Sequence, residues 1–283
     1  IESPRLFSCG KAIVQTNGHF DMIKSFPIEF NEKGNILAIV CDGITEMRKA
    51  ARMQFREGAD FLKCMTTAGV VSQSGNLNVQ EIADDELRAL VEEAQNMGSY
   101  VASHSIGSKG IKSAIRCGVQ SIEHGYFADD KDLDEMAEKG IWLIPTLSSG
   151  EVFMDAVIHN RYPNKIAPWF AEKMKASYEV RHDMVRRARD HGVQVGFACD
   201  FGGDMEVCPH GKNGQEFVNL VKYGGYSPME VICMATKFGS KVVMEPEIGS
   251  LECGKLADIV MVQGNPLEDI SLLAQAQNVK VVM

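Results

Sequence analysis

Short runs of β-favouring residues alternate along this chain with longer segments of helical period, the pattern that parallel strands joined by crossover helices produce. The clearest unit opens at Asp84-Asp85-Glu86, where acidic side chains suit a helix N-terminus. Leu87, Leu90, Val91 and Ala94 then fall at i, i+3, i+4 and i+7, and Gly98 marks the stop. Tyr100-Val101-Ala102 extends from there towards His104. The same grammar predicts helices over 45–58, 110–118, 130–140 and 168–191, leading to strands at 61–65, 121–124, 141–145 and 193–198. With Arg5-Leu6-Phe7-Ser8 at the start this makes six parallel strands, two short of a (β/α)8 barrel. After Ser227-Pro228 and a last amphipathic helix the texture changes to a small β appendage with strands near 257–262 and 279–282.

The polar residues of interest sit where strands end: Lys63, His104, His124 and Asp200. In a barrel these ends converge on one mouth, where catalysis in this architecture resides. Two histidines and a carboxylate there suit a zinc-type site, because imidazole and carboxylate are zinc ligands and three of them leave room for a reactive water. Taken singly, a strand-end histidine is more often a hydrogen-bonded structural residue, and a strand-end aspartate is often a helix cap. Length, at 283 residues, suffices for two small domains or one large barrel with its own core.

The charge balance excludes other classes. With 29 Lys and Arg against 38 Asp and Glu, the net charge is −9, the wrong sign for a nucleic-acid surface or an anionic membrane. The densest basic stretch is Arg186-Arg187 with Arg189. The 8 cysteines form no Cys-x-x-Cys pair, and several lie in apolar runs such as Phe197-Ala198-Cys199, as reduced thiols of a cytoplasmic protein do. No run approaches the roughly 20 apolar residues of a membrane span. The chain starts at Ile1 and stops at Met283 inside an apparent strand, so both ends are expected to be cut.

Seven phrases in order then carry a resemblance: Gly58-Ala59-Asp60-Phe61-Leu62-Lys63, Ala68-Gly69-Val70, Gly118-Val119-Gln120-Ser121-Ile122-Glu123-His124-Gly125, Pro145-Thr146-Leu147, Asp200-Phe201-Gly202-Gly203, Pro209-His210-Gly211-Lys212-Asn213 and Gly254-Lys255-Leu256-Ala257-Asp258-Ile259-Val260. The chain resembles the amidohydrolase superfamily, in its imidazolonepropionase-like and Xaa-Pro dipeptidase-like branch. The resemblance implies an α/β fold: a (β/α)8 TIM-type metal-dependent hydrolase barrel over 1–247, lacking its first strands, with 248–283 as part of a small composite β-sandwich. It implies that Lys63 is carboxylated by CO2 and bridges two divalent metals, usually zinc; that His104 and His124 bind the second metal; and that Asp200 binds the first and handles protons. An unmodified lysine is cationic near pH 7 and repels a metal, whereas its carbamate is an anionic bridge.

Two departures accompany the resemblance. The family's opening His-x-His pair is absent, and where the family reads His-Ala-His-Gly this chain reads His104-Ser105-Ile106-Gly107. Softer candidates for substrate contact are Tyr126, as a hydroxyl donor to a developing oxyanion or a rim aromatic, His210, and His19 in Gly18-His19-Phe20-Asp21. His159, His182 and His191, in helical and charged surroundings, are expected to face solvent. The expected activity is hydrolysis of an amide or peptide-like bond in a dipeptide, N-acyl amino acid or cyclic amide, with Asp200 catalytic. Two alternatives stay open: a lyase forming a Schiff base on Lys63, and an inactive incomplete barrel. The expected partner is a small-molecule or dipeptide-like substrate, with neither nucleic acid nor membrane, and a homo-oligomer is compatible with all of this.

Overall fold

The computed structural model describes residues 4–21, 35–73, 75–162, 166–202 and 206–283. They fall in two compact units, Ile1–Ile141 and Trp142–Met283. Gly203, from the phrase after Asp200, lies outside the described residues.

The first unit is a parallel sheet with helices between its strands. Its strands are β1 (Ala12–Val14), β2 (Ala38–Val40), β3 (Leu62–Met65), β4 (Val101–Ser105) and β5 (Ser121–His124), in spatial order β2-β1-β3-β4-β5. The helices are α1 (Gly43–Arg56), α2 (Asp84–Asn96), α3 (Ser108–Cys117) and α4 (Asp130–Lys139). In α2 the residues Leu87, Leu90, Val91 and Ala94 are buried, as their spacing predicts. Each buried leucine contributes about 1.5–3 kcal/mol relative to exposure. Glu86 accepts the Ala83 N–H at 2.9 Å, and Asp84 turns outward to accept from Ser113 and Arg116 of α3, tying the two helices together.

Two strand assignments differ from the sequence reading. The first strand is Ala12–Val14 rather than Arg5–Ser8, because Ala12, Ile13 and Val14 are all buried and pair with both β2 and β3, while residues 4–8 are largely solvent-facing and carry no ladder. The run Ala38-Ile39-Val40 forms an additional strand, in register Ala12↔Ala38.

The second unit opens with β6 (Trp142–Ile144) and continues through α5 (Leu147–Ile158), α6 (Pro168–Asp190), α7 (Gln215–Gly224) and α8 (Pro228–Cys233). A π-helical turn at Met234–Phe238 and α9 (Gly239–Val242) follow. Residues 193–198 pair with β6 only through a bridge at Leu143↔Val195, because the two hydrogen bonds flanking Leu143 exhaust the ladder. The appendage is the antiparallel pair β7 (Val260–Val262) and β8 (Val279–Val282). All eight cysteines are free thiols. Among the described residues no helix is long and apolar enough to cross a membrane.

The close seat of α3 on the turn after β3 generates a test. A Cβ at Gly110 would lie 2.7 Å from the Thr66 carbonyl oxygen, a backbone atom that cannot step aside. Helix propensity alone would make Gly110→Ala stabilising by roughly 1 kcal/mol. The overlap reverses the sign, and we expect a net loss of about 1–3 kcal/mol, read as a lower urea midpoint; an unchanged or higher midpoint would contradict this packing.

Candidate functional site

Strand register decides which side chains share a face of the first unit's sheet. Lys63 pairs with Ala102 and Met65 with His104, while His104 pairs with Glu123 and Ser105 with His124. Because side chains alternate along a strand, Lys63, His104 and Glu123 share one face. Ser103 and Ser105 take the other, where their hydroxyls bond to each other at 3.0 Å and Ser105 meets the Thr66 hydroxyl at 2.6 Å. Strict alternation would send His124 to that second face. Its backbone instead turns left-handed, with φ of 73°, and its ring stands edge-on to His104 at 4.6 Å between centroids. A bulky non-glycine residue in this region is uncommon and marks a place where the surroundings dictate the backbone.

His104 is 5% exposed, and its Nε2 has no hydrogen-bond partner among the described residues. The ring hydrogen-bonds to the Ala68 backbone, which with Nε2 unpartnered places the donor at Nδ1–H and leaves the Nε2 lone pair presented. Burial, first, then the neighbouring His19, His124 and Lys63 hold His104 well below the usual histidine range. Burial, Lys63 and His19 do the same for His124. Both rings are therefore neutral at pH 7, the form in which imidazole is a ligand.

His19 packs its ring 4.5 Å from that of His104. Its backbone N–H donates to Glu81 Oε2 at 2.7 Å. The ring lies over Gly69, where a Cβ would come within 2.5 Å of its Nε2, so the Ala68-Gly69-Val70 phrase needs glycine at this point. Tyr126 is buried with its ring 5.6 Å from His124. The first unit thus brings together Lys63, His104, His124, His19 and Tyr126. Lys63 lies within its strand rather than at its end, two register positions below His104, and its stem carries Nζ to an ion pair with Glu123 Oε2. Ser121 Oγ donates to the other Glu123 oxygen at 2.7 Å. Glu123 was legible only as a letter of a motif; its shared face with Lys63 is a property of the register. Ile106, standing where the family phrase has histidine, is buried, and its N–H bonds to the Thr67 hydroxyl at 2.9 Å.

The second unit carries Asp200, exposed and left-handed with φ of 57°. It also carries His210, an exposed residue whose ring lies against Gly202. His159 is exposed, as expected, and pairs with Asp155. His182 is not solvent-facing as its charged surroundings predicted: it is buried, stacked on Tyr223 at 3.9 Å and bonded to Glu151 at 2.7 Å. Its neighbours in the sequence are charged, but the helix turns it towards α7.

The donor chemistry of the first unit fits a divalent cation in part. Two neutral imidazoles, one with a presented lone pair, are metal donors, whereas an ammonium at Lys63 is a hydrogen-bond donor only. Among the described residues no three His, Cys, Asp or Glu side chains converge on one metal position.

The ochratoxinase of Aspergillus niger is 30% identical over 292 residues, covering 99% of this chain and 58% of its own length. The chain therefore spans little more than half of that relative. A crystal structure of a Xaa-Pro dipeptidase with bound methionine in the active site superposes with a TM-score of 0.88 at 35% identity, covering 100% of this chain and 67% of that one. A prolidase complexed with N-methylphosphonate-L-proline superposes with a TM-score of 0.89 at 30% identity, covering 100% and 68%. The sequence model of the amidohydrolase family matches residues 8–283. With the parallel βα sheet and the paired imidazoles at its strand ends, this match makes the chain a member of the amidohydrolase family.

Proposed function

We propose that the chain is the barrel part of a metal-dependent hydrolase that cleaves an amide or peptide-like C–N bond in a dipeptide, an N-acyl amino acid or a cyclic amide. The observation that carries this reading is His104, buried, neutral, tied to the Ala68 backbone and presenting Nε2 beside His124. The prolidase, dipeptidase and ochratoxinase relatives support the class of bond and a small-molecule substrate. The eight free thiols support a reducing, cytoplasmic setting, and the antiparallel β7–β8 pair supports the division into a barrel over 1–247 and a β-sandwich segment over 248–283.

In this reading His104 and His124 would hold a divalent ion, zinc by ligand type, and Lys63, as its CO2-derived carbamate, and Asp200 would supply the anionic ligands for a second. The chemistry such ions supply when bound is polarisation of the scissile carbonyl and acidification of water. Asp200 takes the proton of the attacking water and returns it to the leaving nitrogen as the C–N bond breaks, serving as base and then acid. Tyr126 donates its hydroxyl to the carbonyl oxygen as negative charge gathers there. His19 and His210 contact the substrate. Glu123 pairs with the Lys63 ammonium; carboxylation, in which the nitrogen would release two protons to solvent and bond CO2, would exchange that ion pair for an anionic ligand.

The bridge is tested by Lys63→Ala in metal-loaded protein. We expect kcat for a dipeptide or N-acyl amino acid to fall by about 100-fold or more with part of the metal lost, and short carboxylic acids to restore some of both. Unchanged kcat and metal content would remove Lys63 from the site, and borohydride trapping of a carbonyl substrate on Lys63 would favour a Schiff-base lyase instead.

The protonation state of the imidazoles has its own consequence in metal-free protein. Their folded pKa values lie below the unfolded value of about 6.5, so below that pH the unfolded chain binds protons that the folded chain does not. Their contribution to stability is present above about pH 6.5 and is lost as pH falls. We expect the urea midpoint to drop more between about pH 7.5 and 5.5 in the parent protein than in His104→Leu; equal drops would show that His104 is not held neutral.

A further inference from the structure

Helix α5 starts directly after Thr146, which follows Pro145 at the end of β6 and has φ of 49°, a left-handed conformation rare for a β-branched residue. No side chain of its own caps this helix. The first turn is instead held from α7 by Glu216, whose side chain is 0% exposed. Glu216 Oε1 accepts the Leu147 N–H at 2.9 Å, and Oε2 accepts both the Ser148 N–H at 2.7 Å and the Ser148 hydroxyl at 2.6 Å. Asn219, one turn along α7, donates to Ser148 Oγ at 3.0 Å and so directs the Ser148 hydroxyl hydrogen towards the carboxylate.

Three donors converge on one carboxyl group, an arrangement that suits the anion. A protonated Glu216 would have to donate from one oxygen, and the available acceptor is Ser148 Oγ. The Ser148 N–H would then lose its charged acceptor, leaving the turn that fixes Thr146 held less firmly.

We infer that Glu216 is a positioning residue: its buried carboxylate pins the first turn of α5 and thereby holds Thr146, at the end of β6, in the left-handed turn that shapes this strand end for substrate. The inference rests on the reading of the strand ends as the reaction mouth. The other groups facing the carboxyl are Arg181 of α6, which favours the anion, and Cys199, whose thiol Glu216 helps to push up. Burial outweighs the hydrogen bonds and Arg181, and raises the carboxyl to about 7. Between the unfolded value of 4.5 and about 7 the folded chain therefore binds the extra proton, and stability from this group falls as pH rises through that window even while the local clamp tightens.

The test is amide hydrogen exchange at Leu147 and Ser148 together with kcat on a Xaa-Pro dipeptide, both followed from about pH 5.5 to 8.5 in the parent protein and in Glu216→Gln. In the parent, the protection factor of the Ser148 amide should rise as pH rises through about 7. In Glu216→Gln it should be about tenfold lower at the alkaline end and independent of pH, as loss of one charge-assisted hydrogen bond implies. The ratio of parent to variant kcat should climb over the same interval. A flat protection profile in the parent, or an unaltered one in the variant, overturns the clamp. A responsive amide with a pH-independent kcat ratio overturns the link to the site. Should Glu216→Gln not fold, Ser148→Ala serves: it keeps the backbone N–H but removes a donor that favours the carboxylate, so the rise in protection at position 148 should persist and move to higher pH, and a flat profile overturns the clamp. A protein that turns over no amide substrate would refute the proposed function, and the exchange profile would then decide the clamp alone.

Discussion

The candidate site depends on a break in the alternation of a β-strand. In parallel register His124 is the partner of Ser105, whose side chain belongs to the face occupied by buried hydroxyls. Only the left-handed backbone at His124 returns its imidazole to the face of His104 and Lys63. Regular pleating would have separated the two rings by the thickness of the sheet. The same device recurs at Thr146 and Asp200, both with positive φ where a strand or bridged segment ends. Strain of this kind costs of order 1–3 kcal/mol per residue and persists where the surrounding structure over-determines it.

The two faces of the first unit's sheet divide the polar chemistry between them. On one, Ser103, Ser105 and Thr66 satisfy one another by hydroxyl hydrogen bonds, so that polar side chains can be buried without charge. On the other, burial drives His104 and His124 neutral, and the cation of Lys63 is balanced by Glu123. The hydrogen bond at His104 Nε2 is unmade, and an unpaired buried nitrogen is costly unless something binds it.

The second unit solves a related problem with buried charge. Arg181, 0% exposed, and His182 both bond to Glu151, which also accepts from Tyr178 and Tyr223. Burial opposes the Glu151 carboxylate, yet His182, Arg181 and Tyr223 hold it at about 2. Glu216, with no bonded cation, is pushed the other way by the same burial. The difference between these two glutamates is the number and charge of their donors.

Much of the architecture was legible in the sequence because local rules produce it. The spacing of Leu87, Leu90, Val91 and Ala94 matches a buried helix face, and Lys63, His104 and His124 were identifiable as polar residues where strands end, although Lys63 lies within its strand. Sequence by itself thus determined the βα repeat and which polar side chains its strands carry. Tertiary structure decided what those donors meet. Lys63 meets Glu123 because register puts them on one face. His182 is buried because α7 packs Tyr223 on its ring. Glu216 caps a helix 68 residues earlier in the chain. Each of these pairings joins residues far apart in sequence, where no periodicity reaches, and each is set by the packing of whole elements rather than by the propensity of any residue in them.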